Sequence, residues 1–350
     1  MKQKILFLTG YDHFFGQTRK PWVSMNTKLI IDELRAKDFD VLECSFHQIA
    51  NSEIDTSDAI IFYTFSQIDN LRHYLKDIIH SLNKKGNQVI PNYELLLCHE
   101  NKGYQEILKK ELGITSLPAK YFSSKRELDG YNLEYPVVLK TIDGSNGRGV
   151  FLVDTKEQLL EKIKSFEPIL SINQRIDLLR RKYLRLSKQF AGYDTFNGYK
   201  DFLEYKDYIT PEKSFILQKF IPGLEFDYRV IIIGEHYYVT KRLNRKGDFR
   251  ASGAKRFTFD FKASDELLDY ARQIYEKFDT PFLSIDLGES NKQFYLFEYQ
   301  ALHFGINAIV RGKGFYRYND KHWEFLAQKT CIEKEMVNAL VYHIQRKELI

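Results

Sequence analysis

The chain has 350 residues, more than one ordinary core of about 100–200 residues accommodates, so two or three domains are expected. A hydrophobic share of 43% and a charged share of 28% exclude wholesale disorder. The 52 Lys and Arg exceed the 47 Asp and Glu by a formal +5, too little by itself to imply a nucleic-acid partner.

Met1–Gly10 has a basic start but only four consecutive apolar residues, short of the roughly 7–15 of a signal peptide. No apolar run approaches the roughly 18 residues of a membrane span. Cys44, Cys98 and Cys331 are scattered without metal-ligand spacing and fit reduced thiols better than disulfides. A cytoplasmic chain without a membrane span is expected. The aromatic load is high, with 27 Phe and 23 Tyr.

Residues 1–95 alternate apolar runs with helical patterns. Ile5–Leu8 is apolar throughout, as in a parallel strand covered on both faces. A helix over 23–36, strands over 39–42 and 59–63, a helix over 68–82 and a strand over 88–90 complete a small parallel α/β domain. Ligands of such sheets sit beyond the carboxyl ends of strands, which marks Gly10–His13, with Asp12 and His13, and Thr64–Ser66 as substrate loops or ordinary connections.

After Asn92 the pattern becomes α+β. A helix over 102–112 stops at Gly113. An extended segment over 118–123, strands over 137–140 and 150–153, and a helix over 156–165 follow. Later strands fall at 215–220, 228–233, 237–243, 282–287 and 293–298, with long helices over 264–278 and about 323–345. Residues 167–213 interrupt this rhythm. Ile176, Leu179, Tyr183, Leu186 and Phe190 form one apolar stripe at helical spacing, flanked by Arg175, Arg180, Arg181, Lys182, Arg185 and Lys188. Such a helix either covers the core or acts as a basic arm holding an acidic substrate or partner.

Three constellations carry chemistry. In the first, the strand ending at Lys140 leads into Asp143–Gly149, where Gly144, Gly147 and Gly149 let backbone N–H groups approach polyphosphate. The loop is neither a Walker A motif nor a dinucleotide fingerprint. In the second, Glu298 and Gln300 share one strand face, which Asp286 of the neighbouring strand can join. Two carboxylates and an amide oxygen suit hard Mg²⁺. In the third, Phe215–Ile221, Glu225, Asp227 and Arg229 precede Lys241, Arg242, Arg250 and Ser252 in one ladder of cations.

The ordered set resembles the ATP-grasp superfamily, in its ribosomal-protein glutamate ligase and D-alanine–D-alanine ligase branches, over about residues 95–310. That resemblance implies an N-terminal parallel α/β domain over 1–95 and two α+β lobes sandwiching ATP. These would be a central lobe over 96–214, carrying the insert, and a C-terminal lobe over 215–350 with the metal site. It implies that Lys102 and Lys140 contact nucleotide phosphates, and that Gly144, Ser145, Asn146, Gly147, Arg148 and Gly149 close over them. Backbone groups of Lys219 and Ile221 would pair with adenine, with Phe220 between them and Gln218 as a side-chain partner. Glu225 or Asp227 would take the ribose, Lys241 would join the nucleotide set, and Arg242, Arg250 and Ser252 would serve catalysis.

Asp286, Glu298 and Gln300 would hold Mg²⁺, as two ions, with Mn²⁺ as a substitute; Gln300 and Ser252 stand where the family usually has Asn. The implied reaction is ADP-forming ligation of a carboxylate to an amine through an acyl phosphate, with a small-molecule kinase and a non-catalytic ATP-binding protein as alternatives. Small-molecule or peptide carboxylates and amines are the expected partners, a homodimer stays open, and nucleic acid is not expected. Arg19, Arg311 and Lys313 offer cations to an acidic substrate, and His13 and His303 fall in loops near the expected site.

Overall fold

The computed structural model describes residues 2–16, 23–66, 68–144, 147–184 and 197–348. Arg19, Ser145, Asn146, Arg185, Leu186, Lys188 and Phe190 lie outside them. The chain forms two compact units, one of Met1–Leu117, Ser145–Arg148 and Ile221–Ile350, the other of Pro118–Gly144 and Gly149–Phe220.

In the larger unit, Asp40–Ser45, Lys4–Thr9, Ala59–Tyr63 and Gln88–Ile90 form a parallel sheet in that order. Lys4–Thr9 is central. Its Ile5 and Phe7 enter one core and its Leu6 and Leu8 another, which is why its apolar run does not alternate. The helix Thr27–Ala36 starts four residues later than the pattern predicts, because the Asn26 side chain caps it by accepting from the Leu29 N–H at 3.0 Å.

The second sheet of this unit runs Gln293–Gln300, Phe282–Ser290, Phe226–Ile233, His236–Leu243, Phe315–Asn319 and His322–Leu326, with Phe257–Thr258 paired to His236–Leu243. Its neighbours on that path are antiparallel. Alternation divides its two faces. Val230, Ile232, Leu283, Ile285 and Tyr299 pack with the helices Lys102–Glu111 and Asp265–Tyr275. Ile231, Ile233 and Phe282 pack with Met336 and Leu340 of the helix Ile332–Glu348, in a core that also holds Ile5 and Phe7. Residues 1–95 therefore share a core with the second sheet.

The helix expected from Trp323 is corrected. His322–Leu326 is instead the second strand of a hairpin, and the helix begins at Ile332. Asp320 and Lys321, at φ 47° and 69°, supply the two left-handed turn residues that join antiparallel strands tightly.

In the smaller unit, Ala119–Phe122, Phe215–Lys219, Val137–Thr141 and Val150–Val153 form an antiparallel sheet in that order. Leu139, Phe215 and Leu217 meet Leu159 and Ile163 of the helix Lys156–Lys164 in its core. The insert is two helices, Ile172–Leu184 and Gly198–Ile209. Arg181 joins them, reaching Asp201 at 2.9 Å and lying 3.8 Å over the Tyr205 ring. The expected apolar stripe does not cover the core: Ile176, Leu179 and Tyr183 are 50%, 56% and 64% exposed. Spacing made the stripe amphipathic, but the pairing helix meets a different edge, through Arg181.

Leu179→Ser should therefore leave the free energy of urea unfolding within about 0.5 kcal/mol of wild type. Leu217→Ala, in the sheet core, should cost about 2–5 kcal/mol.

Candidate active site

The site is built on the second sheet of the larger unit, where residues directly opposite on paired strands share a face. Glu298 lies opposite Asp286, Asp286 opposite Arg229, and Arg229 opposite Thr240. Two residues along, on the same face, Asp227 lies opposite Arg242. Strand pairing alone thus gathers three acids and two arginines from four strands.

The side chains close this row. Arg229 donates to Asp286 from Nε at 2.8 Å and from Nη2 at 2.9 Å. Arg242 donates to Asp227 from Nε at 2.6 Å and Nη2 at 2.7 Å, and its Nη2 lies 2.8 Å from Asp286 Oδ2. Arg242, Asp286 and Asp227 are only 5%, 6% and 7% exposed. Burial pushes the Asp286 carboxyl up, but the guanidiniums of Arg229 and Arg242 outweigh it and hold it well below the carboxylate range. Burial raises Asp227, which Arg242 offsets only in part because the Asp286 charge is close. Burial opposes the Arg242 charge, yet the two aspartates raise its pKa further.

Beside this cluster, Gln300 is buried and its Nε2 donates to Glu298 Oε1 at 3.1 Å. Between Asp286 and Leu287 the register slips, leaving Phe297 as an extra residue on the partner strand. Gly288 makes room for it, since a Cβ there would lie 2.1 Å from the Phe297 ring. Such a bulge re-aims the residues beside it, here Glu298. Among the described residues no three His, Cys, Asp or Glu converge as a metal group. What the face offers a hard cation is the Glu298 carboxylate and the oxygen of the Gln300 amide, since both oxygens of Asp286 already accept from Arg229 and Arg242. That donor chemistry fits Mg²⁺.

Arg229, Thr240, Arg242, Ser252, Lys255, Asn307 and Arg311 line a cavity of about 680 Å³ that has no carboxylate in its wall among the described residues. Arg250 stands in the loop above Ser252. Its guanidinium is forked onto Asp248 at 2.9 and 2.8 Å, and its Nη1 reaches the Gly147 carbonyl at 3.2 Å. Gly147 has φ 74°, and a Cβ there would lie 2.7 Å from the Ser252 carbonyl, so this contact needs glycine. Gly144 and Gly149 also take positive φ, and Arg148 lies in the turn between Gly147 and Gly149.

Several predicted residues stand elsewhere. Lys241 faces the opposite side of its strand from Arg242, with its Nζ 3.4 Å over the Phe226 ring. Asp227 is committed to Arg242, whereas Glu225 is exposed. Lys313 pairs with Asp260 at 2.8 Å and lines another cavity. Asp12 and His13 line a cavity of about 430 Å³ with Glu43, Ser45 and His47, at the carboxyl ends of the parallel strands. There His13 Nδ1 lies 2.7 Å from Glu43 Oε1. His303 is buried, 3.3 Å from the Gly16 carbonyl and edge-on to His99, a packing position.

Lys102 opens a helix whose buried face also carries Gln105, Glu106 and Lys109. Gln105 Nε2 donates to the Tyr299 carbonyl at 3.0 Å, which ties this helix to the strand of Glu298 and Gln300. In the smaller unit, Val138, Lys140, Ile216 and Gln218 share the sheet face away from its core. Gln218 is 4% exposed, and its Nε2 has no hydrogen-bond partner among the described residues. The Lys219 N–H is taken by the Pro118 carbonyl at 2.9 Å, so that donor is not open to a ligand.

Sequence reasoning missed Lys255, Asn307, Thr240, Glu43 and the double pairing of Asp286. The Asp227-x-Arg229 spacing, two residues on one strand face, was the available signal for the last.

No family model and no curated protein matches the chain. Solved structures do. An ATP-grasp RimK domain protein from Sphaerobacter thermophilus is 12% identical over 96% of this chain and 98% of that one, with a TM-score of 0.52. An L-amino acid ligase from Bacillus licheniformis is 13% identical, covering 89% and 72%, with a TM-score of 0.50. The ADP complex of purK, an N5-carboxyaminoimidazole ribonucleotide synthetase, is 13% identical, covering 89% and 73%, with a TM-score of 0.51. At such identities the likeness concerns the fold, and the chain has the ATP-grasp fold.

Arg242→Met leaves Asp227 buried without its guanidinium and should cost about 3–5 kcal/mol in urea unfolding. Adding Asp227→Leu should cost less than the sum of the two single changes. The hydrogen bond to Glu43, and then its charge, raise the His13 pKa. In Glu43→Gln the His13 imidazole, followed by NMR, should therefore titrate at lower pH, toward the ordinary value of about 6.5.

Proposed function

We propose that the chain is an ATP-dependent, ADP-forming ligase that joins a carboxylic acid to an amine through an acyl phosphate. The observation that carries this reading is the cavity walled by Arg229 and Arg242, without a carboxylate among its described lining residues, whose sheet face continues into Asp286 and Glu298. The fold supports the use of ATP. Cations and hard-oxygen donors on one rigid face suit phosphoryl transfer, which needs positioning and charge stabilisation rather than a protein nucleophile.

In this reading the acid's carboxylate oxygen attacks the γ-phosphorus of ATP, ADP leaves, and an amine then displaces phosphate from the acyl carbon. Arg242 and Arg229 present their guanidiniums to the anionic oxygens of both steps, held in orientation by Asp227 and Asp286. Glu298 and the Gln300 oxygen would hold Mg²⁺, joined by Asp286 where it gives up a guanidinium, and the ion would supply charge neutralisation on the phosphates. In the smaller unit Lys140 offers a cation, and the unpartnered Gln218 amide offers a buried donor to a nucleotide base. Glu225 is proposed for the ribose and Lys102 for a phosphate. A cytoplasmic setting is proposed from the free thiols of Cys44 and Cys98, both buried. Among the described residues no helix is long and apolar enough to cross a membrane.

With ATP, Mg²⁺ and a panel of acids and amines, the purified protein should release ADP and phosphate, and AMP with pyrophosphate would overturn the reading. Hydroxylamine should trap the activated acid as a hydroxamate, whereas a phosphorylated alcohol without hydroxamate would make the chain a kinase. Glu298→Gln should lower kcat by about a hundredfold.

A further inference from the structure

The cavity beside Arg242 carries more positive charge than one carboxylate requires. Of its four cations among the described residues, Arg229 and Arg242 are matched by Asp286 and Asp227, two charges against two. Lys255 and Arg311 are exposed, and among the described residues neither has a carboxylate within 4.0 Å. The surrounding loops neutralise other cations: Asp260 meets Lys313 at 2.8 Å, and Asp248 meets Arg250 at 2.8 Å. Lys255 and Arg311 come from separate segments, one following Ser252 and the other ending the helix Asn307–Arg311, yet they line the same cavity. The Arg311 guanidinium lies over the Phe259 ring, 5.3 Å from its centroid, which gives its fork a backing.

We infer that the acid this enzyme activates carries a second anionic group, held at the cavity mouth by Lys255 and Arg311. The inference rests on the ligase reading for which carboxylate is activated; the anion subsite itself does not. The paired arginines, with their aspartates, are electrically balanced and serve the reacting carboxylate. The two unmatched cations add charge-assisted hydrogen bonds to whatever the far end of the substrate presents, and a guanidinium fork fits a carboxylate or a phosphate with two parallel bonds. A substrate with a neutral far end leaves both cations facing water and gains nothing from them.

Binding separates this from turnover. Calorimetry on the full chain compares three matched pairs: glutarate with monomethyl glutarate, N-acetyl-L-glutamate with its γ-methyl ester, and 3-phosphoglycerate with glycerate. In at least one pair the form with the extra anionic group should bind about tenfold more tightly or better. Which pair responds distinguishes carboxylate from phosphate. Arg311→Gln and Lys255→Gln should each remove most of that gap while leaving the partner lacking that group unchanged, and Lys84→Gln, at a distant helix end, should keep it. No gap in any pair, or a gap that survives both substitutions, overturns the inference; the wild-type comparison alone suffices if a variant does not fold. A gap without ADP release from any acid would instead sink the ligase reading and keep the subsite. ADP release from acids without a gap would do the reverse.

Discussion

Asp286 accepts hydrogen bonds from Arg229 on the neighbouring strand and from Arg242 one strand further, inside a face where it is nearly inaccessible to water. Burying such a carboxylate is costly, and its removal would leave the half-buried Arg229 without its acid and the buried Arg242 with Asp227 alone. The arrangement therefore depends on keeping three strands in one register. A slip of one residue would turn the whole set to the opposite face, into the apolar core around Leu283 and Ile285. Chemistry and register specification reside in the same pairs.

This constraint explains features nearby. The bulge at Phe297 and the bare Gly288 beneath its ring set the strand carrying Glu298 and Gln300 after the pairing has been fixed at Asp286. The helix Lys102–Glu111 is tied to that strand by Gln105, which bonds the backbone of Tyr299 between the two donors. Gly147 accepts from Arg250 and approaches the Ser252 carbonyl so closely that only glycine fits there. Cations that must be rigid are matched by buried acids. Among the described residues the cations lining the same cavity at Lys255 and Arg311 are not, and it is on that difference in pairing that the proposed second-anion subsite rests.

Much of this was legible in residue order. The apolar run of Ile5–Leu8, the capping and stop residues of the helices, and the ordered set Lys140, Gly144–Gly149, Arg242, Asp286 and Glu298 led to the fold, because each rests on local periodicity or on spacing within one strand. Partners distant in sequence could not be read. Nothing near Asp227 says that Arg242 takes both of its oxygens, or that Lys241 turns away over Phe226. The amphipathic stripe of Ile176, Leu179 and Tyr183 misled, since periodicity reports a face and not what meets it. Trp323 was read into the last helix because the left-handed turn at Asp320–Lys321 carries no glycine to announce it.

The sequence by itself determined the architecture and the chemical inventory: two kinds of sheet, a glycine-rich loop, strand carboxylates, a surplus of cations and no nucleophile that the chemistry needs. The mild +5 said nothing about where those cations act. Tertiary structure alone decided that, among the described residues, Arg229 and Arg242 are neutralised by carboxylates while Lys255 and Arg311 are not, because neutralisation depends on through-space distance of a few ångströms between strands and loops far apart in the chain.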